Sequence, residues 1–237
     1  MKGFKPLGIK CYGSIPHLSS SRLGEGDHHC SEGQERISTK SLRDGEDLVI
    51  VQEKMDGCNA GVCKVNSEIH AIQRSGYVCL SSPHIQYHYF DKWVKDRESI
   101  FHAILKEGER IVGEWLLMAV GTKYNIEHPN DLFVPFDIMT DNERLPYFEF
   151  KKRVDNALLT PNTVSVGASC SVSDALKLIG KFGAFGATER VEGAIWRVEH
   201  KGKIDFLTKH VRQNKIDGKY FANEDHGHIW NYPIEDI

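Results

Sequence analysis

Val51-Gln52-Glu53-Lys54-Met55-Asp56-Gly57-Cys58-Asn59-Ala60-Gly61 sets a lysine, an acid and a glycine at the end of an apolar run, Leu48-Val49-Ile50-Val51. In a strand, side chains alternate between faces, so Lys54 and Asp56 share one face while Met55 enters the opposite layer. Gly57 lets the chain turn and lets a ligand approach the backbone without a Cβ in the way. A lysine beside an acid at a strand end is either a covalent nucleophile or a salt bridge near a hairpin, and three residues do not separate the two.

Working outward, further strands are predicted over Leu48–Lys54, Ala60–Val65 and Ile69–Arg74, with Asn66-Ser67-Glu68 as the turn between the last two. Upstream, residues 1–46 carry prolines, glycines and a serine run (Ser19-Ser20-Ser21), which reads as an extended lead-in with at most short strands. Downstream, Tyr89, Trp93, Ile100, Ile104 and Leu105 recur at mostly helical spacing, predicting one helix from Ile85 to Lys106 that Gly108 stops. Ile111–Met118 and Leu132–Met139 are apolar strands with one acid each, Glu114 and Asp137. Helices are expected over Tyr147–Leu159 and Ser173–Phe182, the second with a serine N-cap. Gly180-Lys181-Phe182-Gly183-Ala184-Phe185-Gly186 follows a helix and lacks phosphate-loop spacing, so it reads as a connector. Val191–Glu199 and Lys203–Thr208 form a final strand pair joined by His200-Lys201-Gly202. Hairpin spacings outnumber crossovers, which predicts an α+β fold with mostly antiparallel sheets.

A chain of 237 residues buries a substantial core without staples. Its formal charge of −3 leaves no global basic footprint, so an anionic partner needs a local patch, and the basic surplus from Arg197 to Lys219 supplies one. Six irregularly spaced cysteines and an N-terminus without an apolar core read as reduced thiols in a cytoplasmic protein. No apolar run approaches the ~18 residues that span a bilayer, so no membrane association is expected. Asp27-His28-His29-Cys30 spells a string known from membrane acyltransferases, but it lies in a polar segment without the ordered ligand spacing of a zinc site.

Lys54, Glu114, Asp137, Glu192 and Lys209 each sit in or beside an apolar strand. Buried charges need each other or a charged ligand, so the five are expected to converge on one cleft or else to form separate ion pairs. In order along the chain, the quoted residues resemble the covalent lysine nucleotidyltransferases, the superfamily of polynucleotide ligases and capping enzymes, and within it the ATP-dependent RNA ligases of the RNA ligase 2-like branch. The matching pieces are Glu53–Asn59, Gln73-Arg74-Ser75, Gly113-Glu114-Trp115-Leu116, Phe136-Asp137-Ile138, Glu192-Gly193-Ala194-Ile195 and Lys209-His210-Val211-Arg212, with Ile15-Pro16-His17-Leu18 as a familiar lead-in. Each motif is short, and their order carries the likeness.

The resemblance implies an adenylation domain whose mostly antiparallel sheets flank an ATP cleft, with helices outside. It implies an ATP-dependent RNA ligase in which Lys54 forms a lysyl-AMP, AMP passes to a 5′-phosphate, and a 3′-hydroxyl seals the strand, with a nicked duplex as one form of substrate. Glu114 would bind the ribose hydroxyls, Asn59 and Arg74 the ribose and phosphate, and Phe136 the adenine face. Glu53 would lie near the adenine amino edge, Lys209 at the α-phosphate, and Glu192 would hold Mg2+ or Mn2+. Asp56 and Asp137 would orient neighbours. Lys209 and the metal ion would supply the positive charge that lowers the lysine pKa, and the histidines have no role. Val211 stands where the family carries a second lysine, which Arg212 or Lys215 would replace. Only residues 213–237 follow the last motif, too few for a further domain such as an OB-fold, so residues 1–237 are expected to be one domain, a piece of a longer protein, or one working with a partner protein. A small DNA ligase, a capping guanylyltransferase and a non-catalytic end-binding module share parts of this pattern.

Overall fold

A computed structural model describes residues 3–221 and 227–237. Two antiparallel sheets carry the structure. One has the strand order β7-β1-β8-β9, built from β1 (Asp47–Lys54), β7 (Thr163–Gly167), β8 (Gly193–His200) and β9 (Lys203–Val211). The other has the order β3-β2-β4-β5-β6, from β2 (Cys58–Val65), β3 (Glu68–Gln73), β4 (Glu109–Trp115), β5 (Phe133–Thr140) and β6 (Glu143–Arg144). The helices are α1 (Glu32–Thr39), α2 (Ile85–Lys95), α3 (Glu98–Ile104), α4 (Tyr147–Val154) and α5 (Val172–Ile179). The α+β antiparallel expectation holds. Among the described residues no helix is long and apolar enough to cross a membrane.

The stretch quoted first is the crossing from one sheet to the other. β1 ends at Lys54, Met55 inserts into the core, and β2 begins at Cys58 in the second sheet. A Cβ on Gly57 would lie 2.6 Å from the Trp115 carbonyl oxygen and 2.8 Å from a Leu116 methyl. The residue is therefore dictated by how closely the crossing passes the end of β4, rather than by the turn itself. Both hairpins foreseen in the sequence turn through left-handed pairs, Asn66 (φ 54) with Ser67 (φ 63), and Lys201 (φ 51) with Gly202 (φ 72). Two such residues in succession match the twist of paired strands.

The core joins both sheets to the helices and is richest in rings: Phe90 and Trp93 of α2 and Phe101 of α3 meet Trp115 of β4 and Phe133 of β5 with centroids 5.0–6.4 Å apart. Each such ring, fully withdrawn from water, contributes ~2–3 kcal/mol. This cluster explains why the predicted helix 85–106 is two helices. One straight helix would keep Phe90, Trp93, Phe101 and Ile104 on one face but would carry Phe101 about 16 Å along the axis from Phe90. The break at Asp96–Arg97 folds α3 back so that Phe90 and Phe101 both reach Phe133. The lead-in also holds more structure than expected: α1 begins with a full capping box between Ser31 and Gln34. Helix α5 is capped by Ser171 rather than Ser173, through the Asp174 N–H.

Candidate active site

Strand register assembles the site before any side chain is considered. Lys54 faces Gly193 across β1 and β8, placing Glu192 one residue beyond the nucleophile candidate. Asn59 and Glu114 are direct partners across β2 and β4. Ile195 joins Gln52 on one side to Lys209 on the other. The two sheets face one another across a cleft of about 160 Å3 lined by Glu53, Lys54, Asn59, Arg74, Glu114, Phe136 and Lys209, together with Tyr12 and Arg197. At the Lys54 end of that cleft, Glu192 contacts both Lys54 and Lys215, and Asp56 contacts Lys215.

The Lys54 Nζ donates to Glu192 Oε2 at 2.5 Å. The other carboxylate oxygen, Oε1, accepts from Lys215 Nζ at 3.1 Å, and Lys215 lies 2.9 Å from Asp56 Oδ2. Burial raises a carboxyl pKa, but in Glu192 the two ammonium groups outweigh it and hold the carboxyl below its usual range. For Lys54, burial favours the neutral amine, yet the fields of Glu192, Glu114 and Asp56 together keep its pKa above that of a free lysine. The expectation that cationic neighbours activate this amine is thus corrected: in the protein alone its partners are acids, and it is an ammonium. The lowered pKa is found instead at Lys209, through burial and then the charge of Lys54.

Glu114 has one oxygen without a hydrogen-bond partner, and burial raises its pKa to about 8. The Asn59 Oδ1 is likewise buried and unpartnered. Two neighbouring acceptors left unsatisfied cost free energy that a ligand's hydroxyl groups would recover. Phe136 presents its ring to the cleft, held edge-on by Tyr12 with centroids 5.1 Å apart. Arg74 is exposed at the cleft mouth, its guanidinium donating to the Gly13 carbonyl and Ser14 hydroxyl. Glu53 is buried; its Oε2 accepts the Ala184 N–H at 2.9 Å, its Oε1 has no partner, and burial lifts its pKa to about 7. The glycine-rich segment is therefore more than a connector, since its backbone grips a cleft carboxyl.

Asp137 is the one member of the converging set that does not reach the cleft. It lies fully buried behind it, 2.6 Å from Arg197 and 3.2 Å from Arg144, accepting the Tyr12 hydroxyl at 2.7 Å. The basic surplus between Arg197 and Lys219 is not one surface either: Arg197 and Lys215 are inside, and Lys209 is in the cleft. Of the two replacements for the missing lysine, Lys215 joins the Glu192 carboxylate. Arg212 instead turns its guanidinium to the Val191 and Asn214 carbonyls.

Three contributors had no role in the sequence reading. Lys209 pairs its backbone with the lead-in, its N–H donating to Pro16 and its carbonyl accepting from Leu18. His17 is buried there, its Nδ1 2.6 Å from the Ser21 hydroxyl and its Nε2 3.0 Å from Asp27. Asp27, from the tetrad set aside above, also lies 3.5 Å from Lys209 Nζ. Burial, then the Lys209 charge, lowers the His17 pKa to about 4, so the imidazole is neutral at physiological pH. The Tyr124 hydroxyl accepts the Asp56 N–H at 3.0 Å. Local sequence gives no signal for the pairing of the lead-in with Lys209, 182 residues from Asp27, or of Tyr124 with Asp56, 68 residues apart.

The sequence model of the RNA ligase family matches residues 47–211, the span from β1 to the end of β9. No curated protein matches the chain in sequence. Among solved structures, an archaeal ATP-dependent RNA ligase superposes with a TM-score of 0.52 at 18% identity, covering 84% of this chain and 48% of that one. A provisionally named ATP-dependent DNA ligase from Aquifex aeolicus gives 0.53 at 16%, covering 84% and 49%. An RNA ligase of Naegleria gruberi with pyrophosphate gives 0.50 at 15%, covering 83% and 58%. The chain thus spans about half the length of these structures, and at these identities the likeness is one of fold. With the family match running through every strand that carries a cleft residue, the chain belongs to the RNA ligase family.

Proposed function

We propose that this chain is the adenylation domain of an ATP-dependent RNA ligase, with Lys54 as the nucleophile that takes AMP from ATP. The observation that carries the reading is the seat of Lys54: one half-buried amine at the end of a cleft, bound to Glu192 at 2.5 Å and acted on by the charges of Glu114, Asp56 and Lys209. An ordinary structural lysine has no use for three acids and an adjacent cation.

ATP would enter with its ribose hydroxyls on Glu114 and Asn59, whose buried oxygens lack partners. Its adenine would lie against Phe136 with the Glu53 carboxyl nearby, and Arg74 would close the mouth on ribose and phosphate. Glu192 and Asp56 offer the hard oxygen donors that suit a divalent cation, which commonly binds through one or two carboxylates plus substrate phosphates; such an ion would neutralise phosphate charge. The Naegleria gruberi RNA ligase, as one variant, is solved with ATP and Mn.

Freeing a lysine amine at neutral pH costs about 4–5 kcal/mol when its pKa is the usual ~10.4. Here the cost is set first by Glu192 and then by Glu114 and Asp56. Once those three carboxylates are engaged by a bound nucleotide and cation, both the burial of Lys54 and the charge of Lys209 favour the neutral amine. With its ammonium proton released to solvent, the amine nitrogen bonds the α-phosphorus as the bond to the pyrophosphate oxygen breaks. Pyrophosphate leaves, the nitrogen gives a second proton to solvent to become the phosphoramidate, and Lys209 meets the charge developing on the phosphoryl oxygens. In the following steps AMP passes to a 5′-phosphate of RNA, and a 3′-hydroxyl displaces it. Residues 1–237 act as one such domain, with any further domain or partner protein contributing to substrate grip.

The test is transfer of label from α-labelled ATP, with magnesium or manganese, to the protein. The expected product is acid-stable and hydroxylamine-sensitive, and it is absent in Lys54→Ala. Label from GTP alone points to capping chemistry, and no label from either nucleotide overturns the ligase reading.

A further inference from the structure

Beside the cleft, on the far side of Glu192, lies an open hollow of about 410 Å3 whose charged lining is entirely cationic: Lys177, Lys181, Arg190 and Arg212. Its remaining wall is Leu176, Gly180 and Val191. Lys177, Lys181 and Arg190 are exposed and have no carboxylate within salt-bridge distance among the described residues, although the chain as a whole is acidic. The hollow is tied to the active site by the backbone. Val191 is the residue before Glu192, its N–H donates to the Lys181 carbonyl, and the Arg212 N–H donates to the Glu192 carbonyl. The C-terminal end of α5 adds a partial negative charge of about half a unit here, which four full positive charges outweigh. On the same rim Phe182 is 45% exposed, with the Lys181 ammonium 4.8 Å above its ring centroid.

Unpaired cations beside an exposed ring form the combination that follows a single-stranded nucleic acid, the cations on phosphates and the ring under a base. We infer that this hollow is a docking groove for the sugar-phosphate backbone of the RNA strand being joined, leading it past Glu192 to Lys54. The inference rests on the RNA-joining reading for the identity of the strand, and on the groove's own chemistry for binding. Free ATP offers phosphates too, so the experiment must distinguish the two sources.

The full chain carrying Lys177→Ala, Lys181→Ala and Arg190→Ala together is compared with the parent in two assays. Lysyl-AMP formation from labelled ATP is expected to stay within about twofold, because none of the three lines the nucleotide cleft. Affinity for a short 5′-phosphorylated RNA is expected to fall about tenfold or more, and the slope of log affinity against log salt to flatten by about 2, as losing three single-strand phosphate contacts dictates. Phe182→Ala is expected to weaken binding without changing that slope. An unchanged RNA affinity and slope in a variant that melts like the parent overturns the inference. So does a loss confined to lysyl-AMP formation, which would assign the hollow to ATP, and so does a parent chain that binds no RNA. A parent that binds RNA through these three residues but takes no label from ATP overturns the ligase reading and leaves the groove standing.

Discussion

Glu114 shows what the proposed nucleotide site costs a protein that must fold before it binds. Its carboxyl is buried in β4 with one oxygen unpartnered and a pKa raised to about 8, and Glu53 is raised to about 7 for the same reason. In the unfolded chain both ionise at an ordinary carboxyl pKa near ~4.4. Between that value and their folded pKa values the native state therefore binds more protons than the unfolded one, and stability falls as pH rises through the interval. Thermal melts of the unliganded protein are expected to show the highest midpoint near about pH 5 and a decline that ends near about pH 8. Glu114→Gln removes that group's share: it leaves the midpoint unchanged at low pH and stabilises above about pH 8 by up to ~5 kcal/mol. The same variant should take much less label from ATP, because the amide cannot supply the second acceptor to the ribose hydroxyls. A midpoint independent of pH in the parent would show that the buried carboxyls are compensated in solution.

At the scale of elements, the glycine-rich segment between α5 and β8 matters more than its composition suggested. Gly183 has φ +59, and a Cβ there would stand 2.0 Å from a Glu53 carboxylate oxygen. Gly183→Ala combines left-handed strain of about 1–2 kcal/mol with a clash against the side chain the loop is built to hold. A stability loss of at least that size in denaturant melts is expected, with ATP labelling slowed beyond what the unfolded fraction explains. What the sequence revealed divides along the same physical line. Strands β1 to β5, β8 and β9 were legible because their apolar runs are flanked by turn residues, and two of the turns fall where the left-handed pairs lie. The site residues were legible where a charge interrupts such a run, as at Lys54, Glu114 and Glu192. β7, the break between α2 and α3, and the pairing of the lead-in with Lys209 were not, because tertiary contacts decide them. Helix α1 announces itself only through the Ser31 and Gln34 capping pair, because its sequence, EGQERIST, has too little apolar content to show a helical period.

For the molecule as a whole, the cleft exists because two sheets are held at a fixed separation, and Asp137 is central to that. It belongs to β5 of one sheet, while Arg197 belongs to β8 of the other, and they meet at 2.6 Å with both side chains almost wholly buried. Tyr12 and Arg144 complete the cluster, and Tyr12 in turn braces Phe136 at the cleft wall. Burying two charges is costly, so the pair contributes less to net stability than its short distance suggests, whereas removing one partner strands the other. Asp137→Ala should therefore lose about 3–5 kcal/mol, since Arg197 already has two nitrogens without partners. Combining it with Arg197→Met should restore a large part of that loss, giving a coupling energy of about 1–3 kcal/mol in the double-mutant cycle. If the ion pair also sets the spacing of the sheets, the double variant will refold to near-parental stability yet bind ATP more weakly, because Phe136 and Glu114 lie on one sheet while Lys54 lies on the other. Parental ATP affinity in the restabilised variant would mean that hydrophobic packing alone fixes the width of the cleft, and would reduce Asp137 to a buried charge satisfied by its neighbours.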